Sequence, residues 1–137
     1  MMADKVEFEL VAPERLILSQ AVDMVVVPGG EGDFGVLPGH SLLLSTVRPG
    51  VIAVHNEGAV RERIFVGGGF AEVTPERCTV LADEAVPVQD IDRAKVEGRL
   101  KDLRDDLADA KTDGDRAAVA KRIHVAEAML VAAGSAS

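Results

Sequence analysis

The feature that most constrains this chain is an abrupt change of pattern near residue 88. All six prolines and ten of the thirteen glycines lie before it. A segment so punctuated cannot hold long helices, because proline lacks the amide donor and glycine carries the largest entropy cost. Its apolar residues instead alternate with polar ones: Val6, Phe8 and Leu10 flank Glu7 and Glu9, the period of a half-buried strand. Further β-prone runs fall at residues 16–18, 22–27, 42–47, 51–55, 61–66, 70–73 and 78–82. Turn signals separate them, including Pro13-Glu14, Pro28-Gly29, Pro49-Gly50, Asn56-Glu57-Gly58 and Thr74-Pro75-Glu76. Many short strands with no helical pattern between them predict a β-sandwich or barrel.

After Val88 the period becomes helical. Val96, Leu100, Leu103 and Leu107 form one stripe; Val119, Ile123, Ala126 and Leu130 form a second. Asp90 is the expected N-cap of the first helix, with Asp92 near its positive end. Thr112-Asp113-Gly114-Asp115 breaks the pattern, so two helices in an antiparallel hairpin are expected. The fold class is therefore a β-sandwich N-terminal domain, residues 1–88, followed by a C-terminal antiparallel α-helical hairpin, residues 89–137. A two-helix unit is marginal alone and should be movable.

Charge and composition remove several functions. The formal net charge is −8, of which residues 1–88 contribute −7, with 13 acidic and 6 basic side chains. That field opposes nucleic acid and anionic lipid. Aromatic residues are only 3% of the chain, without Trp or Tyr, which leaves little for base stacking. No apolar run reaches the ~20 residues of a membrane span. The amino-terminal residues have neither signal nor transit character. The single cysteine, Cys78, lies in an apolar alternating run and reads as a small buried hydrophobe.

The stretch PGGEGDFGVLPGH, residues 28–40, spells GxGxxG at Gly30, Gly32 and Gly35 after an apolar run. A dinucleotide site needs a helix opening at the third glycine. Here Val36-Leu37-Pro38-Gly39 follows, and Glu31 and Asp33 would repel phosphate. The reading is instead an exposed acidic loop between strands, with Phe34 at a docking tip. His40, His55 and His124 have no metal-ligand spacing, and Ser41 beside His40 lacks a nucleophile elbow. Gly67-Gly68-Gly69 reads as a bulge or a close backbone contact. No catalytic set and no metal site assembles, which points to a binding or assembly module.

In order, GGEGDFGVLPGH, VRPGVI, FVGGGFAEV, CTVLADEAV and QDIDRAK resemble the ε subunit of bacterial F-type ATP synthases, the family of the mitochondrial δ subunit. The resemblance covers residues 4 to 133 and implies a ten-stranded sandwich with two helices. It also implies a non-catalytic rotor subunit, bound to the γ subunit and resting on the c-ring. That places the protein peripherally on the cytoplasmic side of a bacterial inner membrane, touching the membrane only through the ring. Carried over residue by residue, Glu31, Gly32, Asp33 and Phe34 become the ring-docking loop, its carboxylates pairing with basic groups, and His40 a γ contact.

The resemblance gives the hairpin a second role, contact with the α and β catalytic subunits and inhibition of ATP hydrolysis. The family's ATP-binding motif, I/L-D-x-x-R-A, is matched here by Asp90, Arg93 and Ala94, with Gln89 at the aliphatic position. Arg122 fits one basic position on the second helix, and Ala118 occupies the other. The expectation is no cofactor; an ATP-sensing hairpin is the alternative. After Arg122 the only charge is Glu127, so attraction to acidic catalytic subunits is weak and inhibition should be slight or absent. A small enzyme built on the glycine loop is a third possibility, predicting a turnover that Gly32→Ala and Asp33→Asn abolish.

Overall fold

A computed structural model describes residues 4–134 of the protein. It divides into two compact units, the first ending at Pro87 and the second beginning at Val88, one residue before the expected boundary. The first unit holds ten strands: β1 Val6–Ala12, β2 Arg15–Val22, β3 Met24–Gly29, β4 Gly32–Val36 and β5 Leu43–Val47. They continue as β6 Gly50–Asn56, β7 Ala59–Val66, β8 Gly69–Val73, β9 Arg77–Ala82 and β10 Ala85–Pro87. The hydrogen-bonded order is β10-β7-β6-β3-β5-β8-β9-β1-β2, with β4 paired along β3. β1 and β9 run parallel, and the other pairs are antiparallel.

This sheet folds over on itself, because the inward positions of β1 through β9 all reach a single core. Val6, Phe8, Leu10, Val25, Val27, Val36, Ile52, Val54, Val73 and Val80 are buried there. Most are β-branched, which suits a pleated surface packed on one side. Cys78 belongs to the same core, and burial pushes its thiol up to about 12. It is a packing residue, as its alternating context predicts.

Two turns show local sequence dictating geometry. β6 and β7 join through Glu57 (φ 53°) and Gly58 (φ 81°), a two-residue turn with both residues left-handed, which matches the twist of the flanking strands. At Gly69 (φ 144°), a Cβ would lie 2.0 Å from the Leu81 carbonyl oxygen, so the close-contact reading of the triple glycine holds.

Two strands escape the sequence reading. β4 coincides with the stretch expected to be a loop, and β10 is only three residues long. Glycine and acid lower the β-propensity of Gly32-Asp33-Phe34-Gly35, yet pairing to β3 in full register overrides it.

The second unit begins with a short 3₁₀ turn, Val88–Asp90, then α1, Arg93–Asp109, and α2, Asp113–Gly134. The N-cap is Asp92, not Asp90: its carboxylate accepts from the Lys95 amide at 3.2 Å, while Asp90 closes the 3₁₀ turn. Thr112 caps α2 by accepting from the Asp115 amide at 3.0 Å, so Asp113, Gly114 and Asp115 sit in its first turn rather than in the linker. α1 buries Val96, Leu100 and Leu103 as its stripe predicts. α2 buries Ala126 of the expected stripe together with Met129 and Ala132, while Val119, Ile123 and Leu130 of that stripe are half-buried.

Candidate docking surfaces

The glycine-rich stretch folds as a β-hairpin. Gly29 pairs with Gly32 across the two-residue turn Gly30-Glu31, and Phe34, facing Val27, packs against the edge of the core. This corrects the loop expectation: Glu31 stands at the turn, whereas Gly32, Asp33 and Phe34 belong to β4. Gly29 is required by crowding, since a Cβ there would meet the Gly32 carbonyl oxygen at 2.7 Å and the Phe34 ring at 2.9 Å. Glu31, Gly32 and Asp33 are exposed and Phe34 is half-buried. With Leu43–Thr46 of β5 they border an open concavity of about 450 Å³.

Asp33 is not a free charge. Arg48, on the turn between β5 and β6, donates to its carboxylate at 2.5 Å and to the Gly29 carbonyl at 2.6 Å. Glu31 is thus the open carboxylate of the tip. His40 lies four residues past the far end of β4, so the structure does not bring it to the tip. Its Nδ1 donates to the Ser41 carbonyl at 2.7 Å. Beside it, the Gly39 amide donates to the Pro75 carbonyl at 2.7 Å, tying this link to the β8–β9 turn.

A second surface was not singled out from the sequence. Register places Phe70 opposite Leu81, Leu81 opposite Val11, and Val11 opposite Leu16. The four form a continuous apolar row across the outer face of β8, β9, β1 and β2. Phe70, Leu81 and Leu16 are 57%, 55% and 55% exposed, and Leu44, diagonal to Phe70 on β5, is 73% exposed. The next row, Glu72, Thr79, Glu9 and Ser19, is polar and carries an Arg77–Glu9 ion pair at 2.5 Å. An apolar band rimmed by polar groups is the composition of a protein-binding surface. The signal was present in CTVLA, where Leu81 is apolar at an outward position of an otherwise inward-apolar alternation.

In the hairpin, Asp90, Arg93, Ala94 and Arg122 are exposed. Arg93 sits by the end of α2, 3.9 Å from where a Gly134 Cβ would stand, and lies 3.7 Å from Glu97. Arg122 is twelve residues earlier on α2, ~18 Å away along the axis. It shares an open groove of about 360 Å³ with Asp106, Asp109 and Asp115. The structure therefore does not bring Arg122 to Arg93, and the carboxylates around Arg122 repel phosphate. Among the described residues no group of His, Cys, Asp and Glu could hold a metal ion.

Comparison with known proteins places this architecture. Residues 5–88 match the family described as ATP synthase, Delta/Epsilon chain, beta-sandwich domain. Residues 92–137 match the C-terminal domain of the ATP synthase epsilon chain. The protein belongs to the ATP synthase delta/epsilon family. It is 54% identical over 131 residues to the ATP synthase epsilon chain of Rhodospirillum rubrum, a match spanning 96% of this sequence and 98% of that one. It is 53% identical over 131 residues to the epsilon chain of Paramagnetospirillum magneticum, with the same coverage. Among solved structures, a subunit of the Euglena gracilis mitochondrial ATP synthase OSCP/F1/c-ring assembly superposes with a TM-score of 0.80. That match has 25% identity and covers 96% of this sequence and 83% of that one. A subunit of the Tetrahymena thermophila central stalk and c-ring assembly shares the fold, with a TM-score of 0.64 at 16% identity and 97% and 99% coverage. Family membership and the sandwich-plus-two-helices fold thus agree with the motif order of the sequence.

Proposed function

We propose that this epsilon-family protein is a non-catalytic rotor subunit of a proton-translocating ATP synthase, coupling rotation of the c-ring to the γ subunit. The observation that carries this reading is a pair of adjoining docking features on one stiff sandwich, the apolar row and the acidic tip, with Leu44 bordering both. The apolar row Phe70–Leu81–Val11–Leu16 offers the burial that a permanent partner such as γ needs. The acidic tip at Glu31 offers charge to a cationic ring surface, where it sets orientation more than affinity. Torque transfer requires only that the body carrying them not deform, and a β-branched core supplies that stiffness. His40, beside the β8–β9 turn, is assigned to the γ contact.

Among the described residues no helix is long and apolar enough to cross a membrane, and the attachment proposed is through the ring. On that reading the protein sits peripherally on the cytoplasmic side of a bacterial inner membrane. The hairpin's part is minor. Beyond Arg122 its only charge is Glu127, 3.7 Å from Arg104, so that stretch offers no cation to acidic α and β subunits. The acid-lined groove at Arg122 likewise gives the ATP-sensing alternative no support.

The test is γ binding by the full-length protein. Leu81→Glu with Phe70→Glu places two charges in the apolar row and should abolish capture of γ while the sandwich stays folded. Retention of γ by that variant removes the apolar row from the account.

A further inference from the structure

We propose that Arg48 is the positioning residue of the acidic tip, holding Asp33 as an internal strut and leaving Glu31 as the carboxylate offered to a cationic partner. This rests on the docking role given to the tip above and assigns the work within it.

Arg48 reaches the β3–β4 hairpin from the neighbouring turn by three routes. Its amide donates to the Pro28 carbonyl at 2.9 Å. One guanidinium nitrogen donates to the Gly29 carbonyl on β3 at 2.6 Å, and the other to the Asp33 carboxylate on β4 at 2.5 Å. The guanidinium thus bridges both arms of the hairpin, at Gly29 on one and Asp33 on the other. Its flat, forked donor set can satisfy two acceptors in a fixed geometry, which a lysine ammonium cannot hold. Pro49 restricts Arg48 to extended backbone, which presets the direction of the side chain. A fourth bond, the Gly30 amide to the Thr46 carbonyl at 2.9 Å, pins the turn to β5.

Charge follows from the same geometry. Glu31 and Asp33 lie two residues apart on a narrow tip, and two open carboxylates there repel. Pairing Asp33 with Arg48 leaves a single net negative charge, placed at Glu31. An exposed ion pair of this kind adds little to global stability, because water screens it. Its effect is local: it removes the freedom of the hairpin to swing about Gly29 and Gly30. A tip that docks on the ring must arrive in one orientation, so ordering it in advance lowers the entropy cost of docking.

Two measurements test this. The first needs no partner: amide hydrogen exchange on the full-length protein, wild type against Arg48→Ala, Arg48→Lys and Asp33→Asn. Arg48→Ala should speed exchange at Gly30 and at the position-48 amide severalfold with the melting temperature nearly unchanged, and Arg48→Lys should recover only part of the protection. Unchanged exchange at Gly30 in Arg48→Ala overturns the strut.

The second uses everted membrane vesicles carrying the synthase depleted of this subunit and resupplied with each variant. Arg48→Ala and Asp33→Asn should lower ATP-driven proton pumping alike. Glu31→Gln should instead weaken its dependence on salt. Loss of that salt dependence in Asp33→Asn, with Glu31→Gln behaving as wild type, would make Asp33 the presented carboxylate and contradict the proposal. Failure of the wild-type protein to restore pumping sinks the docking role itself, and the exchange result still judges the strut.

Discussion

The sandwich and the helical hairpin are opposite solutions to holding a shape. In the sandwich, nine strands send side chains into one core, and cross-strand register fixes each of them. In the hairpin, two helices share narrow stripes, and the buried positions of α2 are Ala126, Met129 and Ala132 rather than branched residues. Alanine buries little apolar area and methionine adapts its shape, so the hairpin is the weaker and more compliant unit. A rotor subunit has use for both: a body that does not yield, and an appendage whose packing can change without disturbing it.

The sharpest way to break this comparison is to truncate each core. Phe8→Ala empties the middle of the sandwich and should cost about 3–5 kcal/mol in urea denaturation followed by the sheet signal. Leu103→Ala should cost about 2 kcal/mol, at the low end for a buried leucine, and should show as lost helical signal while the sheet transition stays in place. Equal shifts of the sheet transition in the two variants would mean that the units do not melt separately.

Smaller effects sharpen the same contrast. Asp92→Ala removes the α1 cap and should lower hairpin stability by about 1 kcal/mol, while Asp90→Ala should do much less. The opposite ranking would restore Asp90 as the cap. The smallest effect belongs to Asp23, between β2 and β3. A hydrogen bond from Lys5, and a second from the Glu57 amide, hold its carboxyl below the ordinary 3.8. The unfolded protein therefore binds this proton more readily. The stability Asp23 contributes is complete above about pH 4 and is lost as pH falls through its depressed folded value. Asp23→Asn should be slightly less stable than wild type at pH 7, and the two should converge in acid. A gap that widens in acid contradicts the assigned direction.

Much of this was legible in residue order. Alternation located most strands, and Asn56-Glu57-Gly58 announced its hairpin through Gly58, whose left-handed backbone favours glycine, although Glu57 is left-handed too and is not a type that conformation favours. The two-stripe helical hairpin followed from spacing alone. What stayed hidden depended on partners distant in sequence. β4 reads as a loop because Gly32 and Asp33 disfavour strands, and only β3 alongside makes them one. Arg48 gave no sign of its role, since its two acceptors lie 15 and 19 residues away. The apolar row needs the register of four strands before its members become neighbours. Asp90 looked like a cap by type, but the 3₁₀ turn shifts the helix start by two residues.

The central claim is that this subunit couples and does not regulate. Its most direct test is to compare ATP-driven proton pumping and ATP hydrolysis in vesicles carrying the depleted synthase, resupplied with the full-length protein or with a form ending at Val88. The account predicts that both forms restore pumping and that neither suppresses hydrolysis. Strong suppression of hydrolysis by the full-length protein alone would contradict it and make the hairpin an inhibitor.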